Sequence, residues 1–223
     1  QEVWSGGERH LVPPAEDPNP IAGFWYTSGV TPVSLSTAPT PPGGYAGGPY
    51  LYDSNFKWVV WDIFRQNWAN PGYGNPPNWP GCWHRFSIGD VDFFLLDCRT
   101  YRTNPYYRES ASTMLGPIQK AWLMENLQSS EATFKVLASS GPWEFHTKGD
   151  SLDTWNGYRE ERNEIFQFIE EHRIDGVVLI SADRHRSDAY RIERENGYPF
   201  YEFESSHLTH DVKHKTQDHA IFS

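Results

Sequence analysis

The sequence predicts an α/β fold with α+β layering, and three neighbouring segments carry that prediction. Residues 133–139 (Phe134-Lys135-Val136-Leu137-Ala138 at the centre) read as a strand. Residues 158–173 read as a helix with Ile165, Phe168, Ile169 and His172 on one stripe. Residues 176–182 hold the run Val177-Val178-Leu179-Ile180, apolar on both faces, as a buried central strand requires. Strand, helix and strand in this order give a parallel βαβ unit across 133–182. Two further short strands are expected at about 187–194 and 198–204.

Composition narrows the class. A chain of 223 residues makes one large domain or two small ones. Aromatic residues make up 16%, including ten Trp, which disordered chains lack. The net charge of −10 argues against nucleic acid or an anionic membrane as the main partner. No apolar run approaches the ~20 residues of a membrane span.

The remaining elements follow in order. Residues 1–53 form an irregular Pro/Gly-rich arm: the first fifty hold eight Gly and nine Pro but only five charged residues. The folded part runs from 54 to 223. Asp53 or Ser54 caps a helix with Phe56, Val60, Ile63, Phe64 and Asn67 on its inner stripe. A Pro/Gly/Asn loop leads to Pro80-Gly81. Then Trp83 to Asp97 reads as a hairpin around a Gly-Asp turn. A three-residue loop, Gly89-Asp90-Val91, sets Cys82 opposite Cys98 and permits a disulfide, which would mean an exported protein. A two-residue loop shifts the register by one and separates them. Residues 99–116 are loop-like, with Arg99, Arg102 and Arg108 among tyrosines. Gly116-Pro117 opens a helix with apolar residues on two sides: Leu123, Met124 and Leu127 on one, Ile118, Ala121 and Trp122 on the other.

Chemistry concentrates at Ser181-Ala182-Asp183-Arg184-His185, directly after the buried strand. In open α/β sheets, ligands bind at the carboxyl ends of strands. Asp183 and His185 offer carboxylate and imidazole donors to adjacent metals, and Arg184 between them can grip phosphate. Trp143, Trp155 and His146 lie beyond the strand at 133–139 and can shape a substrate pocket, as can His207 beyond the last strand. His210, His214 and His219 read as a solvated polar tail. Tyr158-Arg159-Glu160-Glu161-Arg162 reads as a helix start with acidic charge near its N-terminus and a structural salt bridge.

Seven stretches in order resemble the C-terminal half of PhoD-like alkaline phosphatases, in the metallophosphoesterase superfamily. They include Phe64-Arg65-Gln66-Asn67-Trp68, the run from Arg85 to Arg102, Met114-Leu115-Gly116-Pro117, Trp155-Asn156-Gly157-Tyr158-Arg159 and Ser181-Ala182-Asp183-Arg184-His185. The resemblance implies the second half of a metallophosphoesterase-type β-sandwich flanked by helices. It implies a metal-dependent phosphate-ester hydrolase, exported to the periplasm, cell surface or medium. Asp183 and His185 would be ligands of a dinuclear centre of Fe, Ca, Zn or Mn, and Arg184 a catalytic group neutralising charge on the phosphate ester. Ala182 stands where the family carries Gly. The family's other ligand segments are not recognisable in residues 1–53. The expectation is therefore a half-site, completed by an N-terminal half of the same protein or by a second chain. The competing expectation is a non-catalytic relative that keeps the fold for assembly or display.

Overall fold

The computed structural model describes residues 54–75, 79–103, 105, 112–206 and 220–222, with side chains from Trp61 onward. Helix α1 spans Ser54–Asn67. Its inner residue is Trp61, whose Nε1 donates to the Gly81 carbonyl at 2.8 Å. Trp61 packs with Trp83 and Tyr101 in an aromatic cluster of their own. Ile63, expected on the inner stripe, is 43% exposed. From Trp61 onward the helix lies against the aromatic loop and not against the main sheet core, so Trp61 makes the buried contact and Ile63 faces outward.

After the two-residue strands β1 (Gly74–Asn75) and β2 (Trp79–Pro80) come β3 (His84–Ile88) and β4 (Val91–Leu95). Ile88 pairs with Val91, so the turn is the two-residue Gly89-Asp90. Gly89 has φ 58, as a turn matching the strand twist requires. This register separates the cysteines. Cys82 faces Asp97, whose Oδ2 accepts its backbone N–H at 2.8 Å, and both thiols are free. The disulfide allowed by the longer loop does not form. Burial pushes both thiol pKa values up, so both remain protonated.

Helix α2 (Gly116–Ser129), β5 (Phe134–Ala138), helix α3 (Arg159–Glu171), β6 (Val177–Ser181), β7 (Ser187–Ile192) and β8 (Phe200–Ser205) complete the order. The six-stranded sheet runs β3-β4-β5-β6-β8-β7. Strands β4, β5, β6 and β8 are mutually parallel, while β3 and β7 are antiparallel edges. The run Val177 to Ile180 is thus central, between β5 and β8, as expected. Gly176 enters β6 with φ 74, and a Cβ there would lie 1.9 Å from the Thr133 carbonyl oxygen, so only glycine fits.

The two faces differ. On one, the fully buried Phe94, Leu137, Leu179 and Phe200 pack with Leu123 and Leu127 of α2 and Ile165 and Ile169 of α3. Helix α2 is buried twice, as its pattern suggested, because Ile118 and Trp122 also pack on the Trp61 cluster. On the other face Phe93 aligns with Val136 and Val178, and Leu95 with Ala138, Ile180 and Phe203. No described element covers that apolar face, where Ile88 is 63%, Phe134 49% and Phe203 51% exposed.

The structural salt bridge expected at 158–162 does not form among the described residues, and hydrogen bonds take its place. Glu161 is 3% exposed and accepts from Thr113 Oγ1 and from the backbone N–H groups of Met114 and Leu115, just before α2. Burial raises its pKa even against these bonds. Removing the carboxylate leaves three donors without partners, at roughly 1–3 kcal/mol each. Glu161→Ala should therefore lose about 3 kcal/mol or more in chemical denaturation, and Glu161→Gln distinctly less.

Candidate functional site

Because β4, β5, β6 and β8 are parallel, their carboxyl ends and following loops meet at one edge of the sheet. The loop after β4 is pinned by Asp97. Its carboxylate accepts from the backbone N–H groups of Cys82, Arg99 and Thr100 and from Thr100 Oγ1. Gln119 of α2 bonds the Asp97 main chain in both directions, at 2.7 and 2.8 Å. That turn sends Arg99 and Arg102 to the loop after β5, where both bond Asp153 Oδ1, at 3.0 and 2.6 Å. Burial raises the Asp153 pKa, but the charges of Arg102, Arg99 and Lys148 outweigh it and hold the carboxyl below its ordinary range.

From that same loop Lys148 reaches the end of β6. Its Nζ donates to Asp183 Oδ2 at 2.7 Å and lies 3.8 Å from Asp153 Oδ2. Asp183 and His185 both take left-handed backbone conformations, φ 89 and 56. Asp and His tolerate this region better than most residues, and such outliers concentrate at functional sites. Ala182 is not among the positive-φ residues, so its methyl causes no backbone strain. The His185 ring is exposed, and its backbone N–H donates to Ser206 Oγ at 2.9 Å. Asp183 and His185 supply two donors of the right chemistry. Among the described residues no group of three or more His, Cys, Asp or Glu side chains could hold a metal.

The other expected site residues are placed differently. Arg184 is 9% exposed, with Nη1 buried, and its charge acts on Glu204. Trp143 and Trp155 do not line a pocket. Both are fully buried in the main core and stack on each other at 4.4 Å, because the loop after β5 folds back over the sheet. His146 is exposed and meets Arg159 Nη2 at 2.9 Å. His207 lies outside the described residues.

Sequence reasoning missed Lys148, Glu202 and Glu204. Alternation on β8 was a usable signal, since it turns Phe200, Glu202 and Glu204 inward together. Glu202 is fully buried and accepts from Ser181 Oγ and from the backbone N–H groups of Trp143 and Glu144, both at 2.8 Å. It thus ties the end of β6 to the loop that carries Lys148. Neither oxygen of Glu204 has a hydrogen-bond partner of good geometry among the described residues.

Burial raises the Glu202 carboxyl to about 7 against its three hydrogen bonds. Burial, then the charges of Glu202 and Asp188, raises Glu204 to about 8 against the opposing pull of Arg184. Unfolded glutamates titrate near ~4.3. Between that value and about 8 the folded chain holds more protons than the unfolded one, so this term favours folding at low pH and is lost as pH rises. The thermal midpoint should therefore fall from pH 6 to pH 9, and Glu204→Gln should flatten that slope when melting is followed by circular dichroism.

Residues 73–221 match the PhoD-like phosphatase family. Alkaline phosphatase D of Bacillus subtilis (strain 168) is 34% identical over 131 residues, covering 50% of this chain and 22% of that protein. The solved structure of PhoD superposes with a TM-score of 0.57 at 23% identity, over 70% of this chain and 34% of that one, and bears on the fold. The chain thus spans about a fifth of its curated relative and a third of its solved neighbour. On the match across 73–221, this chain belongs to the PhoD-like phosphatase family.

Proposed function

We propose that this chain is the C-terminal part of a metal-dependent phosphate-ester hydrolase of the alkaline phosphatase or phosphodiesterase type, exported from the cytoplasm. One observation carries the reading. Asp183 and His185 leave the end of the central parallel strand in left-handed conformations, and Asp183 already attracts a cation, the Lys148 ammonium. A carboxylate and an imidazole suit Fe, Ca, Zn or Mn to different degrees, and these two residues would supply part of the ligand set of such a centre. Metal ions in such a centre supply Lewis-acid charge at the phosphoryl oxygens.

The chain's own residues then have defined tasks. Asp183 and His185 act as ligands. Arg184 anchors their loop from beneath, and its positive charge contributes to the field at the strand end. Glu202 holds the β6 end and the Lys148 loop together. Two ligands do not hold a metal pair, since zinc sites alone take three or four. The remaining ligands belong to an N-terminal half of the protein or to a second chain. The open apolar sheet face supports such a partner, since parallel sheets are normally covered on both faces.

Hydrolysis of chromogenic phosphate mono- and diesters by the full-length gene product tests this reading. A chelator should abolish turnover and added metal should restore it. Asp183→Ala and His185→Ala should each reduce kcat/KM by more than the roughly 10–100-fold typical of residues behind the ligands, without unfolding. The 223-residue chain alone should bind metal weakly and turn over slowly or not at all. Full activity in both variants would remove the site assignment. A full-length protein that carries all its ligands and stays inactive would favour the structural role.

A further inference from the structure

The tripeptide Asn-Gly-Tyr occurs twice, at Asn156-Gly157-Tyr158 and at Asn196-Gly197-Tyr198. An Asn-Gly pair readily loses its side-chain amide, because the glycine nitrogen can attack the asparagine side-chain carbonyl and no Cβ hinders the approach. From Asn to Tyr the local sequence gives both sites the same reactivity. The fold gives them opposite surroundings. Asn156 is 7% exposed. Its Nδ2 donates to the Ser151 carbonyl at 3.2 Å, and its Oδ1 accepts from Arg159 Nη2. The Gly157 N–H, which carries the attacking nitrogen, donates to the Thr154 carbonyl at 3.0 Å. A Cβ on Gly157 would lie 2.2 Å from the Leu152 carbonyl oxygen, so the backbone there is packed tightly against Leu152.

Asn196 and Gly197 lie in the loop 193–199 that joins β7 to β8, beyond the last paired residues Ile192 and Phe200. Both are exposed, and loop tips of this kind are where chemical change concentrates. Beside them the Arg194 side chain is held in place. Its Nε donates to the Tyr198 carbonyl at 2.7 Å, and its guanidinium lies 3.9 Å from the Phe200 ring centroid and 4.6 Å from that of Tyr198. It rests against Gly197: a Cβ there would fall 2.3 Å from Arg194 Nη2. A fixed positive charge favours the deprotonated form of a neighbouring group. Here the neighbour is Gly197, whose nitrogen must lose its proton before it can attack.

We propose that Asn196 is a self-modification site, converted to aspartate and isoaspartate with assistance from Arg194, and that the fold shields Asn156 from the same reaction. The Gly197 nitrogen gives its proton to hydroxide and forms a bond to Asn196 Cγ. The Cγ–Nδ2 bond breaks, and the side-chain nitrogen takes a proton from water and leaves as ammonia. Water then opens the cyclic imide at either carbonyl, giving aspartate or isoaspartate. No electrons are exchanged, and water is the only co-reactant. Either product leaves a new carboxylate beside Arg194. The loop enters β8, which is parallel to β6, so it lies at the sheet edge opposite Asp183. The modification is therefore independent of the hydrolase reading.

Incubation of the 223-residue chain at mildly alkaline pH, followed by peptide mass mapping, tests the proposal. In the folded chain Asn196 should convert, and Asn156 should lag about a hundredfold or more, the scale of opening two or three hydrogen bonds. In denaturant the two sites should convert at similar rates, which assigns the difference to the fold. Arg194→Met should slow conversion at Asn196 about tenfold in the folded chain, the effect of one pKa unit on the attacking nitrogen. It should leave the rate in denaturant little changed. Arg194→Lys should keep most of the acceleration, and circular dichroism checks that both variants fold. Asn196→Gln should remove the product at this site. An intact Asn196 in the folded chain, or equal rates at Asn196 and Asn156 there, overturns the proposal. An unchanged folded-state rate in Arg194→Met overturns the assistance by Arg194.

Discussion

One buried carboxylate holds the carboxyl edge of the sheet in place. Glu202 is fully buried on β8, and its oxygens accept from Ser181 on the neighbouring strand and from two backbone amides of the loop after β5. Buried amides without partners are costly, so these three donors and one acceptor group are mutually dependent. The loop in question carries Lys148 and Asp153, and the strand carries Asp183. The Lys148–Asp183 contact therefore depends on a residue that touches neither. Asp97 does the same for the preceding loop, bonding three backbone amides so that Arg99 and Arg102 reach Asp153.

Charge is arranged in two layers around that edge. Below the loops lies the inward row Glu202, Glu204 and Asp188, with Arg184 and Arg186 as counter-charges. Above it lies the cationic group around Asp153. The lower layer is so desolvated that Glu204 holds its proton near neutrality. In the upper layer the charges of Arg102, Arg99 and Lys148 outweigh burial and hold the Asp153 carboxyl below its ordinary range. The same residue types thus behave in opposite ways within one end of one sheet, because solvent access and neighbouring charge set protonation.

The sheet itself is asymmetric. Helices α2 and α3 seal one face with a core from Phe94 to Phe200, while the other presents Phe203, Phe134 and Ile88 to solvent. An apolar face across four parallel strands is an unusual surface to leave in water. This asymmetry, together with the small share of the relatives' length that the chain spans, underlies the reading of the site as one half of a larger one.

The sequence by itself determined the parts that depend on local pattern. The apolar run Val177 to Ile180, the inner positions Ile165 and Ile169 of α3 and the two-sided α2 were legible because periodicity reports burial directly, whereas His172, expected on the α3 stripe, is exposed and Phe166 is buried in its stead. The exit of Asp183 and His185 from the end of the central strand was legible for the same reason, and the motif order indicated the family. What only the tertiary structure decided were matters of register and of contact between loops. A turn one residue shorter placed Cys82 against Asp97 and left both thiols free. The fold-back of the loop after β5 turned Trp143 and Trp155 from pocket candidates into core, and the packing of α1 chose Trp61 over Ile63. The pairing of Lys148 with Asp183, 35 residues apart, has no local signature. It follows from the adjacency of β5 and β6 and from the buried carboxylate on β8, because a loop's direction is set by the strands it joins and the donors it must satisfy.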